Sequence, residues 1–290
     1  RSRFDRMLTC AVEAAGVRVW RPARISSLRR DPDGWQLQID RGGRLSEVSA
    51  SVLVDASGRA AAVARRLGGR RVLEDRLTAL VRWYQGGAGS ASADSSLLVE
   101  AIETGWWYSA PLPADRLVAV FLTDRDLIAG GRSRVWRDAL GHALHTQHRL
   151  LPRGVRQTAV AIRAAHSARV EPVAGRGWLA VGEAATAFDP LAARGIAHAL
   201  ESGLRAGDVV DRTLAGDVDA LHAHAAEVQA EWNAYLAERA AIYGREKRWR
   251  DACFWQRRSS PVGGGPSVHD PRDGRHEARG TATAKVAASS

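Results

Sequence analysis

The chain has 290 residues, 45% of them hydrophobic, which is enough for a sizeable core and argues against global disorder. Its formal net charge of +10 is almost wholly arginine, spread along the chain among acids, so we favour a solvated surface over a clustered nucleic-acid footprint. The sequence contains no apolar run of about 18 residues, so no membrane-spanning helix is predicted. Cys10 and Cys253 are far apart in sequence and are expected to be reduced thiols of a cytoplasmic protein.

Residues 1–75 alternate between helical and strand patterns. The helix is predicted from apolar residues at three- and four-residue spacing, and the strands from apolar runs separated by turn residues. The predicted elements are, in order, a helix from Phe4 to Ala15, strands at Val17–Val19, Ile25–Leu28, Trp35–Ile39 and Ser51–Asp55, and a short helix reaching Leu67. The last of these strands ends in an acid, Asp55, and the turn Ser57-Gly58-Arg59 follows it.

From about Leu77 the pattern changes to short strands separated by Gly, Ser and Pro clusters, which predicts an antiparallel sheet. Helical periods then dominate the second half of the chain. The predicted strands are Leu77–Tyr84, Ser96–Glu103, Leu117–Thr123 and Val155–Ile162, and the predicted helices are Val135–Leu150, Ala197–Leu214 and Val218–Ile242. Beyond Arg258 no apolar period remains, so Ser259–Ser290 is predicted to be disordered.

One stretch has the sequence of a cofactor site in an α/β protein. An apolar run from Trp178 to Val181 predicts a buried strand, and Gly182-Glu183 places a sharp turn and a carboxylate at its carboxyl end. Asp189-Pro190 predicts a second turn. Gly195 then opens a helical pattern where a backbone could lie flat against a planar ligand. A strand, an acidic turn and a helix start of this kind suit a phosphorylated or aromatic cofactor.

Two acids, Asp55 and Glu183, each follow a predicted strand in a glycine-marked turn. In a parallel sheet both would lie at the same carboxyl-end crevice, where such sheets bind ligands. A carboxylate there can accept hydrogen bonds from ribose or ribityl hydroxyls. For Asp55 alone a helix N-cap is the alternative, and the pairing with Glu183 favours the cofactor site.

These residues resemble a known superfamily. DASGR at Asp55–Arg59 and GEAATAFDPLAARGIAHAL at Gly182–Leu200 resemble FAD motifs of the flavin-dependent monooxygenases and tryptophan halogenases, and GWWYSAPL at Gly105–Leu112 resembles their GWxWxIP segment. Within that superfamily, FDPLxxxGI and the aromatic ending at Arg248–Arg258 are most similar to flavoproteins that mature quinone cofactors. Those are the maturases of lysine ε-oxidase, glycine oxidase and quinohemoprotein amine dehydrogenase.

The resemblance implies an α/β fold of the FAD-binding, aromatic-hydroxylase-like (GR2) type, in which a parallel sheet is joined to an antiparallel substrate sheet. The family's N-terminal βαβ unit with GxGxxG does not precede Arg1, so we expect a chain truncated upstream. The expected domains are 1–75 and 170–215 as a split, incomplete FAD-binding domain, 76–169 as the antiparallel substrate domain, 216–258 as C-terminal helices and 259–290 as a disordered tail.

The resemblance also implies cofactor contacts. The implied cofactor-binding residues are Asp55, Gly58, Arg59, Gly182, Glu183, Asp189, Pro190, Gly195 and Ile196. Glu183 stands where the family has an aspartate that binds the ribityl and pyrophosphate region, and is one methylene longer. Asp189 and Pro190 would lie beside the isoalloxazine. The backbone N–H groups of Gly195 and Ile196, at a helix N-terminus, would stabilise negative charge on reduced flavin.

Other candidates carry weaker signals. Trp106, Trp107 and Tyr108 are candidates for a substrate-pocket wall, and core packing is an equally good interpretation. Three histidines, His142, His145 and His148, recur at three-residue intervals on one predicted helix. They lack the i,i+4 pair with an acid that a metal site needs, so no metal is expected. The residues alone do not identify a catalytic side chain.

The leading functional hypothesis is an FAD-dependent, monooxygenase-like oxidoreductase. Reduced by NAD(P)H or a separate flavin reductase, it would use O2 to oxidise an aromatic small molecule or peptide. A tryptophan side chain of a partner protein, during quinone cofactor maturation, is one such substrate. No nucleic acid or membrane partner is expected. Two alternatives remain: a catalytically inactive fragment or binding module, and a prenyl-reductase-type flavoprotein.

Halogenation is disfavoured by departures from the halogenase pattern. Tyr108 and Ala110 stand where halogenases have Trp and Ile, and Arg194 stands where they place a Ser or Thr for chloride. Their catalytic lysine lies in the N-terminal part, whereas no lysine precedes Lys247 in this chain.

Overall fold

The computed structural model describes residues 2–85, 96–150, 156–259 and 268–269. Its helices are α1 (Ser2–Ala14), α2 (Ala62–Arg66), α3 (Arg132–Gly141), α4 (Leu144–Leu150), α5 (Gly195–Leu214), α6 (Ala220–Tyr243) and α7 (Cys253–Ser259). Its strands are β1 (Arg24–Asp31), β2 (Gly34–Asp40), β3 (Leu45–Ala50), β4 (Leu53–Asp55), β5 (Arg70–Leu73), β6 (Leu77–Gln85), β7 (Leu98–Ile102), β8 (Gly105–Leu112), β9 (Arg116–Asp124), β10 (Arg156–Gln157), β11 (Ala161–Ala164), β12 (Ala168–Glu171), β13 (Ala174–Gly175), β14 (Trp178–Ala180), β15 (Thr186–Ala187) and β16 (Val268–His269).

The parallel pair β4 and β14 positions the site. Trp178 pairs with Leu53 and Ala180 pairs with Asp55, and β13 adds an antiparallel strand on the other side of β14. Both strands run in the same direction, so their carboxyl ends meet at one edge of the sheet. The two apolar runs that end in acids predicted this arrangement. The α/β fold with parallel and antiparallel sheets is thereby confirmed.

A second, antiparallel sheet has the order β10–β6–β9–β8–β7, with β11 also paired to β6. Because successive side chains of a strand point to opposite faces, the sheet has two apolar sides. One side packs Trp107 and Phe121 against Trp136 of α3. The other packs Trp106 against Tyr243 of α6 and Trp255 of α7.

The meander β1–β2–β3 covers the parallel pair. The β1–β2 hairpin turns at Asp31-Pro32-Asp33-Gly34, residue types that favour a turn. The indole Nε1 of Trp35 donates to the carbonyl oxygen of Gly177, 2.7 Å away, just before β14. Trp35 and Trp178 share one buried cluster, so the meander and the parallel pair form a single core.

Three predicted elements differ from the structure. The expected strand at Val17–Val19 is irregular. The helix predicted over Val135–Leu150 is two helices, because the carboxylate of Glu100 on β7 accepts the backbone N–H groups of His145 and Thr146 and so caps a separate α4. The strand predicted over Val155–Ile162 is divided between β10 and β11, and residue 155 itself lies outside the described residues.

The aromatic C-terminal segment docks on the antiparallel sheet. Trp255 donates its Nε1–H to the carbonyl of Ile102, and the buried guanidinium of Arg258 pairs with the buried carboxylate of Asp124. Ser259 ends α7, and β16 pairs with β5. The remainder of the predicted disordered tail lies outside the described residues. Within those residues, no helix has the length and apolar character needed to cross a bilayer.

The Asp124–Arg258 pair predicts a local stability effect. Asp124→Asn leaves Arg258 buried beside a neutral partner, so we expect a loss of about 3 kcal/mol in the free energy of unfolding. Asp126→Asn is the matched control, because Asp126 pairs with the more exposed Arg257, and its loss should be below about 1 kcal/mol. Urea unfolding followed by tryptophan fluorescence measures both. Equal losses in the two variants would contradict this assignment.

Candidate functional site

The carboxylate of Asp55, the first of the two strand-end acids, accepts hydrogen bonds from backbone N–H groups. Its side chain is 1% exposed. Oδ1 accepts the N–H of Ser57 at 2.9 Å, and Oδ2 accepts the N–H groups of Val63 and Ala64 at 2.9 and 2.8 Å. These bonds satisfy donors at the start of α2, so Asp55 caps this helix from a distance, although the N-cap residue itself is Ala61.

The second acid, Glu183, faces outward. Its side chain is 40% exposed, and Arg59 donates from Nε to Oε1 at 3.1 Å. Arg59 also donates to the carbonyl oxygens of His166 and Phe188. Within the described residues, Oε2 of Glu183 accepts no hydrogen bond from the protein. Arg59 therefore joins the turn after β4 to the turn after β14 and holds a carboxylate with one oxygen able to accept a ligand hydroxyl.

Gly182 packs the turn that carries this carboxylate against α5. Its φ of +53° lies in the left-handed region that glycine adopts without strain. Its N–H donates to Oγ of Ser202 on α5 at 2.9 Å. A Cβ at this position would meet Ala199 at an ordinary contact distance of 3.5 Å, so the backbone conformation, rather than space, favours glycine here.

The predicted pair Asp189 and Pro190 divides between interior and surface. Asp189 is 2% exposed, whereas Pro190 is exposed. Oδ1 of Asp189 accepts the N–H of Leu191 at 2.9 Å, and Oδ2 accepts the hydroxyl of Tyr243 at 2.7 Å. The N–H of Asp189 donates to the hydroxyl oxygen of Tyr235 at 2.8 Å. Of this pair, Pro190 alone has an exposed side chain.

Burial governs the ionisation of Asp189. Desolvation raises the pKa of its carboxyl to about 6, and the nearby carboxylate of Asp75 adds to the rise. Hydrogen bonds from the Leu191 N–H and the Tyr243 hydroxyl oppose the rise. Burial also raises the pKa of the Tyr243 and Tyr235 hydroxyls, so both remain protonated donors at neutral pH.

The N-terminus of α5 is open. Gly195 is exposed and Ile196 is 48% exposed. The N-cap residue, Arg194, makes no side-chain hydrogen bond to the helix, and its guanidinium instead lies 3.9 Å from Glu231 and 3.8 Å from Glu238. The first-turn N–H groups and the positive end of the helix dipole thus face a surface where an anionic or electron-rich group can bind.

The three aromatic residues predicted as a pocket wall do not lie together. Trp106 and Tyr108 are on the side of β8 that faces α6 and α7, and their ring centroids are 6.1 Å apart. Trp107 points to the opposite side, where it is fully buried and stacks on Phe121. Strand alternation separates them, so Tyr108, which is half-buried, is the best placed of the three to contact a substrate.

Several residues at the site gave no recognisable sequence signal. His198 on α5 is buried between Thr186 and Glu231, bonded to each through one ring nitrogen. Tyr235 and Tyr243 converge on Asp189 only through tertiary packing of α6.

The histidines at 142, 145 and 148 are not on one helix, since α3 ends before the first of them. Among the described residues no group of metal-ligating side chains is assembled.

Comparison with known proteins relates the chain to flavoenzymes. The chain matches no protein-family model. It is 28% identical over 269 residues to the putative FAD-dependent oxidoreductase LodB of Marinomonas mediterranea, covering 89% of this chain and 70% of that protein. It is 24% identical over 230 residues to a tryptophan 2-halogenase of Chondromyces crocatus, covering 76% of this chain and 44% of that protein.

A solved structure, the peptidyl tryptophan dihydroxylase QhpG, which is essential for tryptophylquinone cofactor biogenesis, superposes with a TM-score of 0.74. The two are 25% identical, and the match covers 91% of this chain and 59% of that one. The fold is thus that of FAD-dependent oxidoreductases and halogenases, and the chain is related to these enzymes, as the motifs predicted. The chain spans about half of the length of two of these proteins, the tryptophan 2-halogenase and QhpG.

The elevated pKa of Asp189 predicts a pH-dependent stability. Its folded pKa of about 6 exceeds the unfolded value of about 3.9, so the native state binds this proton more tightly. The resulting stabilisation is fully present below about pH 4 and is lost as the pH rises through about 6. A pKa raised by about two corresponds to about 3 kcal/mol.

The measurement compares the wild type with Asp189→Asn by urea unfolding at several pH values between about 4.5 and 7.5. The wild type should gain stability relative to the variant as the pH falls, by about 2 kcal/mol over that range. Taking the difference in unfolding free energy between wild type and variant cancels the pH-dependent contributions of other groups. Glu74 is one such group, since burial also raises its pKa. Asp33→Asn controls for the loss of one exposed carboxylate. A difference that stays constant with pH would contradict the prediction.

Proposed function

We propose that this chain forms the flavin-facing part of an FAD-dependent, monooxygenase-like oxidoreductase that acts on an aromatic substrate. The observation that carries the proposal is the arrangement at the carboxyl ends of β4 and β14. There the half-exposed carboxylate of Glu183, held by Arg59, lies in the turn that packs against α5. The relatives supply the chemical class, since they are FAD-dependent oxidoreductases and halogenases.

The residues present suit the flavin and ribityl parts of FAD. Glu183 offers a charged acceptor for sugar or ribityl hydroxyls, and the first turn of α5 offers uncapped N–H donors. Pro190, which lies between the two in sequence, is exposed and presents an apolar ring. Asp55 and Gly58 act indirectly in this proposal, because Asp55 fixes the turn that carries Arg59.

Bound FAD, reduced by NAD(P)H or by a separate flavin reductase, supplies the electrons with which O2 is activated for insertion of oxygen into the substrate. The chain's own contribution is binding, orientation and electrostatics. The N–H groups of Gly195 and Ile196 stabilise negative charge near them through the dipole of α5. The apolar side of β8 beside Tyr108 provides the surface on which an aromatic ring can be held away from water.

The proposed substrate is an aromatic ring, in particular a tryptophan side chain of a partner protein during quinone cofactor maturation. The support is the likeness to LodB and to the peptidyl tryptophan dihydroxylase QhpG. The antiparallel sheet also carries partly exposed apolar side chains on the side of Tyr108. Val118 and Trp83 are on this side, because Trp83 pairs with Val118 and Val118 with Ala110. An indole ring is complementary to such a surface.

Halogenation is not proposed. Arg194 stands where the halogenase pattern has a hydroxyl for chloride, and in this fold its guanidinium is directed to Glu231 and Glu238. Tyr108 and Ala110 depart from the halogenase motif on β8.

The cofactor proposal predicts flavin binding that depends on Glu183. Purified full-length protein titrated with FAD should develop the visible absorbance of bound oxidised flavin. Glu183→Gln should weaken binding about tenfold, because a hydrogen bond to a charged group contributes about 1.5 kcal/mol or more. Glu201→Gln, at an exposed position of α5, is the control and should bind normally. Protein that gains no flavin absorbance at any FAD concentration would overturn the proposal.

The substrate proposal predicts oxygen insertion into tryptophan. The flavin-loaded protein, supplied with a reductant, isotopically labelled O2 and a tryptophan-containing peptide, should give a peptide carrying labelled oxygen in its mass spectrum. The same peptide with phenylalanine in place of tryptophan is the control. Absence of labelled product from every aromatic substrate, although the protein binds flavin, would favour a flavin-binding module over a monooxygenase.

A further inference from the structure

We propose that α6 sets the position of the Asp189–Pro190 turn through two hydroxyl groups, those of Tyr235 and Tyr243, which act as positioning residues for the open N-terminus of α5. The cofactor consequence of this inference rests on the proposed function, whereas the positioning itself is a property of the protein alone. Neither tyrosine faces the exposed side of the site, since both are at most 2% exposed.

The two tyrosines hold opposite ends of one residue. The hydroxyl of Tyr235 accepts the backbone N–H of Asp189 at 2.8 Å, and the hydroxyl of Tyr243 donates to its Oδ2 at 2.7 Å. The remaining oxygen, Oδ1, caps the turn through the N–H of Leu191 at 2.9 Å. Both the backbone and the side chain of Asp189 are thereby fixed relative to α6, which leaves this residue little freedom to rotate or shift.

Each tyrosine hydroxyl makes a further hydrogen bond to another buried side chain. The indole Nε1 of Trp106 donates to the Tyr243 hydroxyl at 2.9 Å, which orients the hydroxyl proton towards Asp189. The Tyr235 hydroxyl lies 2.5 Å from Oγ of Ser167, and Ser167 accepts from Arg239, whose guanidinium pairs with Asp75 at 2.7 Å. The network is buried and nearly every polar group has a partner, so removing one hydroxyl leaves a buried donor or acceptor unsatisfied.

The turn transmits this restraint to α5. A short 3-10 turn, Pro190–Ala192, follows Asp189 directly, and α5 begins at Gly195. Ala192 and Ala193 close the turn through backbone bonds to Asp189 and Pro190, both at 3.0 Å. With so few residues between them, a shift of Asp189 moves the exposed Pro190 and the first-turn N–H groups of α5 with it. Loss of a tyrosine hydroxyl therefore loosens the exposed part of the site from the buried side.

The test measures amide hydrogen exchange in the protein without added cofactor. Tyr243→Phe and Tyr235→Phe keep the ring packing and delete one hydroxyl each. We expect exchange in the peptide spanning Asp189–Ala193 to become about tenfold faster, the equivalent of one lost hydrogen bond. Tyr84→Phe is the matched control, because Tyr84 is also buried but lies in the core on the α3 side of the antiparallel sheet. It should leave exchange in the turn unchanged.

The result that would overturn the proposal is a uniform effect. If the tyrosine variants lower global stability as Tyr84→Phe does and leave exchange of the turn unchanged, the two hydroxyls contribute only to general stability. A second arm measures the dissociation constant for FAD. Tyr243→Phe should raise this dissociation constant about tenfold. Tyr84→Phe should leave both the dissociation constant and the flavin spectrum those of the wild type.

The two arms separate this inference from the proposed function. If the wild type binds no FAD, the proposed function fails, and the exchange result still decides whether the tyrosines position the turn. If the wild type binds FAD and Tyr243→Phe binds it with unchanged affinity and spectrum, the positioning role towards the cofactor is refuted while the proposed function stands.

Discussion

The buried carboxylate of Asp189 imposes the constraint on which the site depends. A carboxylate removed from water must be given hydrogen-bond donors or lose its charge, and here Tyr243 and the Leu191 N–H supply them. Tyr243 can do so only because α6 crosses behind the turn and Trp106 of the antiparallel sheet orients its hydroxyl. The turn at Asp189 is therefore joined directly to α6, and through Tyr243 to the antiparallel sheet.

The three acids of the site follow similar sequence patterns but have different roles in the structure. Asp55 and Asp189 face inward and organise turns, whereas Glu183 remains partly exposed and is held by Arg59. The exposed surface of the site consequently consists of Glu183, Pro190 and the start of α5. A site of this composition binds and orients a cofactor that brings its own redox chemistry, which agrees with the relatives being flavoenzymes.

The sequence predicted the features that depend on local pattern. The parallel neighbours were foreseeable because both apolar runs end in an acid and a glycine turn, and α6 was foreseeable from its apolar stripe. Features that depend on distant partners were not. The direction of Asp189 is decided by Tyr235 and Tyr243 on α6, and the break between α3 and α4 is decided by Glu100. No spacing in the sequence records those contacts.

The most direct test of the flavin-site assignment is a crystal structure of the full-length protein with FAD. We predict the isoalloxazine ring against Pro190 and the first turn of α5, with a ribityl or ribose hydroxyl donating to Glu183, and Asp189 still bonded to Tyr243. A flavin bound elsewhere on the protein, with Glu183 contacting only Arg59, would contradict the assignment.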